Sequence, residues 1–362
     1  MKIVVLRRKI DEIDSMILSL LNQRADLVIE VGGEKAKANM DLHVPQREEE
    51  IFTRLMKENR GRFPRRAIRP VYREIISACR SLEGALRLAY LGPEATFTHL
   101  ACTRRFGVSA HFVPVRTIAE VFTEVEKGNV EYGVVPIENS SEGVVSHTLD
   151  MFVDSELKIC GEILLEVSHS LLSRSGELRR AKKIYSHPHA FAQSRRWLEA
   201  NLPHVPLFEA SSTAAAAELA AKEPTAAAIA SELAAGLYKL KVISRRIEDN
   251  PRNFTRFLII GQKSSTPTNH DKTSLMFSIK DRVGALYRIL EPFAKHHINL
   301  TKIESRPSKT KAWEYIFYVD IEGNIAQASV KAALSILEEE CIFLKVLGSY
   351  PKGSSIEAAE AG

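Results

Sequence analysis

Apolar residues recur with helical spacing over about the first 40 positions of the chain. They are Leu6, Ile10, Ile13, Ile17, Leu20, Leu21, Leu27, Val28 and Val31. No proline interrupts the pattern, so it predicts one helix over 6–40, roughly 50 Å long at ~1.5 Å per residue. A helix of that length can bury its apolar stripe only against partners. Patterns over 46–58 and 70–86 predict two more helices, which complete an all-α domain at 1–86.

From residue 87 onward, short apolar runs alternate with helical segments. Strands are predicted at 88–91, 111–115, 132–137, 183–185 and 226–230, and helices at 95–106, 117–126, 212–221 and 232–240. This alternation favours βαβ units and a mainly parallel sheet covered on both faces. The prediction for 87–262 is two α/β lobes with a cleft between them.

A polar linker at 262–271 leads into a smaller pattern with the order strand, helix, strand, strand, helix, strand. Its strands are predicted at 274–279, 298–304, 313–321 and 343–347, and its helices at 285–296 and 326–339. This βαββαβ order is that of a ferredoxin-like α+β sandwich, here at 272–350. The small and polar tail from Gly353 is predicted to be disordered.

Composition narrows the class of protein. The 362 residues are 45% hydrophobic and 26% charged, with a net charge of +5, as in a soluble multidomain protein. The charge is spread out, which suits anionic small molecules better than nucleic acid. The cysteines are too far apart in sequence for a zinc or disulfide framework, and no apolar run approaches ~20 residues. We therefore expect a cytoplasmic protein without a membrane segment or signal peptide.

The spacing of the basic residues on the first predicted helix shows which of them share a face of that helix. Arg24 and Lys35 are eleven positions apart, which brings them within about 20° of each other at ~100° per residue. Arg7 points roughly 100° away from Arg24 by the same count. If all three bind one ligand, Arg7 has to reach the site of a partner subunit. The alternative is a helical dimerisation arm with a solvated charged face.

Four motifs in this region resemble the all-helical chorismate mutase family. They are LRRKID at 6–11, NQR at 22–24, VGGEK at 31–35 and PQRE at 45–48. The family rearranges chorismate, a dicarboxylate, to prephenate in a pericyclic step that moves no proton, so the enzyme holds the compact conformer and stabilises charge on the breaking ether oxygen. The resemblance implies interlocked chains, with Arg7 crossing between subunits.

The resemblance also implies individual roles in the mutase. Arg7 and Arg24 clamp the carboxylates, Lys35 contacts the ether oxygen and Glu48 contacts the ring hydroxyl. Glu83, which stands where family members carry glutamine, makes a second ether contact and can donate only when protonated. We therefore predict that mutase activity falls as pH rises.

Two other departures from the family concern substrate contacts. Cys79 replaces a serine and is expected to contact substrate, and Val44 replaces an aspartate.

Polar stretches follow the predicted strand ends of the α/β region, where open sheets bind ligands. They lie at 92–97, 138–143, 186–189 with Gln193, and 211–213, and each alone fits a turn or helix cap. His187 and His189 have no third ligand in view, which argues against a metal site. In this order, and followed by Asn253-Phe254-Thr255-Arg256-Phe257, the stretches resemble prephenate dehydratase across 87–262. That family has a two-lobed fold like periplasmic binding proteins.

The dehydratase removes the ring hydroxyl and the ring carboxylate of prephenate, giving phenylpyruvate, water and carbon dioxide. By resemblance, Thr255 is the donor to the departing hydroxyl, through a hydrogen bond that tightens as the hydroxyl leaves. The expected substrate-binding residues are Glu138, Asn139, Ser186, Gln193, Arg256 and Phe257. Of these, Glu138 is a candidate proton reservoir, Phe257 is expected to pack beneath the site, and Arg256 either meets a carboxylate or holds the loop.

The C-terminal pattern resembles an ACT regulatory domain through two motifs. Gly284, Ala285 and Leu286 lie at a predicted helix start, and Glu304, Ser305 and Arg306 follow a predicted strand. Amides at a helix start bind carboxylates, so these six residues are expected to bind L-phenylalanine between paired regulatory domains. The alternative is a dimerisation sandwich that binds no ligand.

Together the resemblances predict a bifunctional enzyme of phenylalanine biosynthesis that needs no metal or organic cofactor. Chorismate and prephenate are the expected substrates, L-phenylalanine is the effector, and the mutase and ACT domains form a homodimer or larger homo-oligomer. Two alternatives remain: a dehydratase that prefers arogenate, with a vestigial mutase, and a non-catalytic metabolite sensor.

Overall fold

The structure, a computed structural model, describes residues 2–38, 43–280, 282–307, 315–353 and 355–356. These form two compact units. The first contains the residues up to Arg87 together with Thr103–His111, and the second contains Leu88–Cys102 and the residues from Phe112 onward. The end of the first predicted helix at residue 40, the predicted strand start at Trp313 and the tail beyond residue 356 lie outside the described residues.

Three helices build the first unit. They are α1 (Lys2–Lys37), α2 (Pro45–Glu58) and α3 (Arg65–Glu83). The predicted start of α3 at Pro70 is wrong, because this proline lies inside the helix. Proline favours the first turn, which made it look like a boundary, but here the helix begins five residues earlier.

Most of α1 is exposed in the single chain. Gly32 is its one buried residue among those described. The apolar residues Ile10, Ile13 and Leu20 of the predicted stripe are half exposed or more. Gly32 packs against α3 so closely that a Cβ atom there would lie 2.8 Å from Cγ of Glu83, whereas a Cβ at Gly33 would meet open space. The N-terminal part of α1 therefore has an apolar face that this chain leaves uncovered.

The first lobe of the second unit is a mixed sheet with the strand order β16, β5, β11, β3, β1, β2, and β4 pairs with β3. The strands are β1 (Arg87–Leu91), β2 (His111–Val115), β3 (Tyr132–Asn139), β4 (Gly143–Val144), β5 (Lys158–Glu166), β11 (Phe254–Gly261) and β16 (Ser355–Ile356). Its helices are α5 (Ile118–Glu126), α6 (Ser146–Asp154) and the first part of α4 (Phe97–Phe106), whose residues from Thr103 onward belong to the first unit.

The prediction of a mainly parallel sheet is wrong for this lobe. Strand β11 lies between β3 and β5 and is antiparallel to both. It enters the sheet from the second lobe and not through a βα unit of its own, so the alternation pattern could not reveal its direction. The predicted disorder of the tail is also wrong at Ser355–Ile356, which pairs with β5.

The second lobe is inserted between β5 and β11. Its strands are β6 (Ser170–Ser173), β7 (Lys183–Ser186), β8 (Leu207–Glu209), β9 (Ala226–Ala230) and β10 (Lys241–Ser244), in the order β10, β6, β9, β7, β8. Its helices are α7 (Pro188–Gln193), α8 (Arg195–Asn201), α9 (Thr213–Lys222) and α10 (Glu232–Leu237), with a 3-10 turn at Leu178–Arg180. The chain crosses between the lobes twice, at 167–169 and 245–253.

The C-terminal sandwich has the predicted βαββαβ order. It consists of β12 (Asp271–Ile279), α11 (Ala285–Lys295), β13 (Leu300–Pro307), β14 (Tyr315–Glu322), α12 (Ala328–Glu340) and β15 (Cys341–Pro351). The sheet order is β13, β14, β12, β15, and the neighbouring strands are antiparallel. We call this four-stranded sheet the regulatory sheet.

The two faces of the regulatory sheet pack against different partners. One face joins α11 and α12 in a core that includes Phe277 and Leu334. The other face contributes Met276, Tyr318 and Tyr350 to the same core as the sheet of the first lobe. The regulatory sheet and the first lobe therefore fold around shared apolar residues.

Candidate active sites

One carboxylate of the helical unit has a side chain that is only 12% exposed. Glu48 of α2 accepts hydrogen bonds from Arg80 at 2.8 Å and Arg105 at 3.4 Å, and His43 Nε2 lies 3.5 Å from it. Burial alone would raise the pKa of Glu48, but His43, Arg105 and Arg80 outweigh it and lower the pKa to about 2. Glu48 is therefore a fixed anion at neutral pH. Neither Arg80 nor Arg105 was predicted from the sequence, because neither belongs to a family motif.

The close approach of α1 and α3 brings two predicted mutase residues together. Lys35 Nζ lies 3.5 Å from Glu83 Oε2, and the Glu83 side chain is only 6% exposed. Gly32 makes room for Glu83. Cys79, one turn earlier on α3, is buried. This contact gives Glu83 a cationic neighbour in the place where the family resemblance puts the substrate ether.

The two predicted carboxylate clamps differ in their surroundings. One terminal nitrogen of Arg24 is buried without a hydrogen-bond partner among the described residues, which suits an anionic ligand. Arg7 is exposed and seventeen residues nearer the N-terminus of the same helix, about 25 Å away along the axis at ~1.5 Å per residue. Arg7 therefore cannot reach Arg24 of its own chain.

In the two-lobed region, the end of β3 meets the start of β11. Asn139 is paired in register with Thr255, and its Nδ2 donates to Thr255 Oγ1 at 2.8 Å and to Asn253 Oδ1 at 2.9 Å. Its Oδ1 accepts from the backbone N–H groups of Ser141 at 2.9 Å and Glu142 at 3.0 Å. Because Thr255 Oγ1 accepts from Asn139, its own hydrogen is left to donate to a ligand.

The hydrogen bonds continue into the second lobe. Asn253 Nδ2 donates to Gln193 Oε1 at 2.9 Å, and Gln193 Nε2 donates to Glu142 at 3.1 Å. His169 Nε2 lies 2.8 Å from Gln193 Oε1. His169 and Asn253 were not among the predicted site residues, although Asn253 opens the Thr255 motif. We call the following set the amide chain: Thr255, Asn139, Asn253 and Gln193.

Two other predicted dehydratase residues are buried near the strands. Ser186 ends β7 and donates from Oγ to the carbonyl of Ile229 at 2.8 Å. Phe257 is 1% exposed and packs within the sheet. These contacts are structural in kind, and the expected place of Phe257 beneath the site stays a prediction.

Glu138 and Arg256 are not brought together with the amide chain. Successive strand residues point to opposite faces, and these two directly neighbour Asn139 and Thr255. Glu138 Oε2 lies 2.6 Å from Lys302 Nζ of the regulatory sheet. Arg256 donates to Glu162 at 2.7 Å, Asp320 at 2.5 Å and Tyr350 at 3.0 Å. Both side chains contact the regulatory sheet.

The residues expected to bind an effector lie on two elements. Gly284 has a φ of 75° in the left-handed region and precedes α11, which begins with Ala285 and Leu286. Glu304, Ser305 and Arg306 lie on β13, an edge strand of the regulatory sheet.

The residues of β13 alternate between more and less exposed positions. Ser305 is exposed, while Arg306 pairs with Asp150 of α6 in the first lobe at 3.1 Å. Arg306 is thus held toward the dehydratase region.

No group of three or more histidine, cysteine, aspartate and glutamate side chains is arranged to hold a metal ion among the described residues. None of the described helices has the length and hydropathy of a transmembrane segment.

Comparison with known proteins gives three consecutive family matches. Residues 6–84 match type II chorismate mutase, 88–265 match prephenate dehydratase and 273–339 match the ACT domain. The bifunctional chorismate mutase/prephenate dehydratase of Aquifex aeolicus (strain VF5) is 54% identical over 351 residues, covering 96% of this chain and 97% of that protein.

Two solved structures resemble the region after the helical unit. Prephenate dehydratase from Arthrobacter aurescens in complex with L-Phe has a TM-score of 0.69 at 35% identity, over 76% of this chain and 92% of that one. GqqA, described as a novel type of quorum quenching acylase, has a TM-score of 0.68 at 29% identity, over 74% of this chain and 98% of that one. A shared fold therefore does not determine the activity, which depends on the residues of the site.

The helical unit, the two-lobed α/β region and the ferredoxin-like sandwich define a multidomain biosynthetic enzyme with a regulatory module. The chain belongs to the family of bifunctional chorismate mutase/prephenate dehydratases. It is an isomerase and a lyase of L-phenylalanine biosynthesis, and its ACT domain links it to feedback control.

Proposed function

We propose that the amide chain is the dehydratase site and that Thr255 is its donor. The observation that carries this is the hydrogen bond from Asn139 to Thr255 Oγ1, which leaves the threonine hydroxyl hydrogen free to donate to a ligand. During the reaction the C–O bond to the ring hydroxyl and the C–C bond to the ring carboxylate break. The electron pair from the carboxylate bond completes the aromatic ring, and a proton from solvent leaves with the hydroxyl as water.

The other members of the amide chain have a positioning role in this proposal. Asn139 uses both of its amide hydrogens and its oxygen within the protein, so it orients Thr255. Gln193 belongs to the second lobe and Glu142 to the first, so their hydrogen bond joins the two lobes beside the substrate. A donor held in place before the reaction stabilises the departing hydroxyl without reorganisation.

For the mutase, the proposed site is formed by Arg24, Lys35, Glu48 and Glu83, with Cys79 beside them. The buried unpartnered nitrogen of Arg24 supports a carboxylate contact. Lys35 is close enough to Glu83 for both to face one ether oxygen. Binding the dicarboxylate in its compact form and neutralising charge on that oxygen accelerate a reaction that needs no proton transfer.

The mutase site is proposed to be completed by a second copy of the chain. The uncovered apolar face of α1 needs a partner, and Arg7 lies too far along α1 to serve its own Arg24. In an antiparallel pair of α1 helices, Arg7 of one chain can reach the carboxylate bound by the other. The exposed edge strand β13 is a second place where copies can pair.

Feedback control is proposed to begin at the start of α11 and the edge of β13. The related Arthrobacter structure contains L-Phe, which supports the same ligand here. Its carboxylate would accept from the amides after Gly284, with Ser305 nearby on the exposed side of β13. The ion pairs of Lys302 with Glu138 and Arg306 with Asp150 then connect the effector strand to the dehydratase lobe.

A cytoplasmic location is part of the proposal. It is supported by the four cysteines, all of which have free thiols.

The test supplies chorismate and prephenate separately to the full chain, with and without L-phenylalanine, and measures prephenate loss and phenylpyruvate formation. Thr255→Ala should abolish phenylpyruvate formation and leave chorismate rearrangement intact, while Thr255→Ser, which keeps the hydroxyl, should retain activity. Full dehydratase activity in Thr255→Ala would remove Thr255 from the mechanism. Faster turnover of arogenate than prephenate would favour the arogenate alternative, and binding of both substrates without turnover would favour the sensor.

A further inference from the structure

We propose that His169 is a positioning residue for dehydration, which acts by donating a hydrogen bond from Nε2 to Gln193 and so fixing the amide chain that orients Thr255. His169 lies at the first crossing between the lobes, immediately before β6. The inference rests on the proposed role of Thr255, and no family motif identified in the sequence includes His169.

The direction of each hydrogen bond can be worked out from the backbone. The N–H groups of Ser141 and Glu142 can only donate, so the Asn139 atom that faces them is Oδ1. Nδ2 of Asn139 must then face Thr255 and Asn253, which makes the Asn253 atom on that side its oxygen. The orientations of both asparagines are therefore determined.

The tautomer of His169 follows from these orientations. With its oxygen toward Asn139, Asn253 presents Nδ2 to Gln193, whose facing atom is the acceptor Oε1. The other end of Gln193 donates to the carboxylate of Glu142, which confirms that orientation. His169 Nε2 lies 2.8 Å from the same Oε1, so it must carry the hydrogen and act as the donor.

The surroundings hold the imidazole in place. His169 is 2% exposed, and the ring of Phe97 packs edge to face against it at 5.4 Å between centroids. Its backbone N–H donates to Glu248 at 2.8 Å, and its carbonyl accepts from Ile247 at 3.0 Å. Both partners belong to the second crossing between the lobes, so the ring is fixed relative to both crossings.

Burial also keeps His169 in the neutral form that this role needs. It lowers the pKa of the imidazole, against the smaller opposing effects of Gln193 and Glu248. Nδ1 is buried without a partner among the described residues, so a proton there would have no acceptor. A neutral Nε2–H donor is thus maintained at the pH of the reaction.

The experiment compares His169→Leu with His169→Gln in the full chain. Leucine removes the donor, and we expect a fall in the kcat for prephenate of about 10²-fold, since small misplacements of a catalytic group have effects of that size. Glutamine restores an N–H donor near the position of Nε2 and should recover most of that kcat. The KM should change less than kcat, because Thr255 acts mainly on the departing hydroxyl. The control is His204→Leu, which replaces an exposed histidine of the second lobe.

Chorismate mutase activity of the same samples reports whether the chain is folded. If the wild-type chain made no phenylpyruvate from prephenate, the proposed function itself would be refuted. A wild-type chain that makes phenylpyruvate, together with an equally active His169→Leu, would overturn only this inference. If His169→Leu does not fold, His169→Gln decides: an active variant supports the donor role, and a folded but inactive one contradicts it. In the double variant with Gln193→Leu, losses that multiply would show that His169 does not act through Gln193.

Discussion

Replacing Arg256 distinguishes a structural role from a substrate-binding one. Arg256 is 9% exposed, and its guanidinium is hydrogen-bonded to Glu162, Asp320 and Tyr350. The Glu162 side chain is fully buried and keeps Lys272 as a second partner at 3.1 Å, whereas Asp320 keeps only Ser274 among the contacts described, at 2.5 Å. Arg256→Met would therefore leave Asp320 as a buried carboxylate without a cation.

The magnitude follows from this geometry. Removing one partner of a buried ion pair destabilises a protein by about 3–5 kcal/mol, so Arg256→Met should lower the folded-to-unfolded ratio of this unit on the order of 10²–10³-fold or more. Replacing Asp320 by leucine in the same chain should recover part of that loss, because no unpaired charge is then buried. Arg256→Lys keeps the charge but not the three-way contact, and should give an intermediate loss.

The assay is a urea titration of the full chain, followed by circular dichroism and by residual dehydratase activity, with mutase activity as a separate readout. We expect Arg256→Met to lower the urea midpoint for dehydratase activity while the KM for prephenate stays close to wild type. An unchanged midpoint with a KM raised tenfold or more would refute this reasoning and return Arg256 to the substrate.

Three further predictions concern the helical unit. Gly32→Ala should displace Glu83 and lower the mutase rate without affecting dehydration, whereas Gly33→Ala, where space is open, should change neither rate. Glu83→Gln should keep the mutase active, because glutamine can donate a hydrogen bond to an ether oxygen at any pH; a folded but inactive Glu83→Gln would contradict the donor role. The pKa of Glu48, lowered from 4.5 to about 2, should stabilise the helical unit by about 3 kcal/mol above pH 4.5, a contribution lost as pH falls toward 2. Acid unfolding of Glu48→Gln should lack that dependence.

Local sequence patterns predicted those helices and strands that depend only on residues close together in the chain. The uninterrupted helical spacing gave α1, and alternating strands and helices gave the βαββαβ sandwich, because both depend on residues close in sequence. The direction of β11 was not predictable in this way, since β11 enters the sheet only after the chain has passed through the second lobe.

The candidate sites show the same division. Thr255 and Asn139 each lie in a short motif of consecutive residues, and their side chains are hydrogen-bonded to each other. Arg80, Arg105 and His169 have no local signature, because their importance comes from neighbours distant in sequence. Arg256 illustrates the opposite case: its motif is conspicuous, but the alternation of strand side chains turns it away from Thr255.

The regulatory sheet contributes to the interior of the first lobe, which limits how this enzyme can be re-engineered. Asp320 and Tyr350 accept hydrogen bonds from Arg256. A chimaera with a sensor module from another protein would therefore bury that guanidinium without these two acceptors. A different effector specificity would therefore have to be introduced through loops grafted onto the regulatory sheet, with the residues of the face that packs against the first lobe left unchanged.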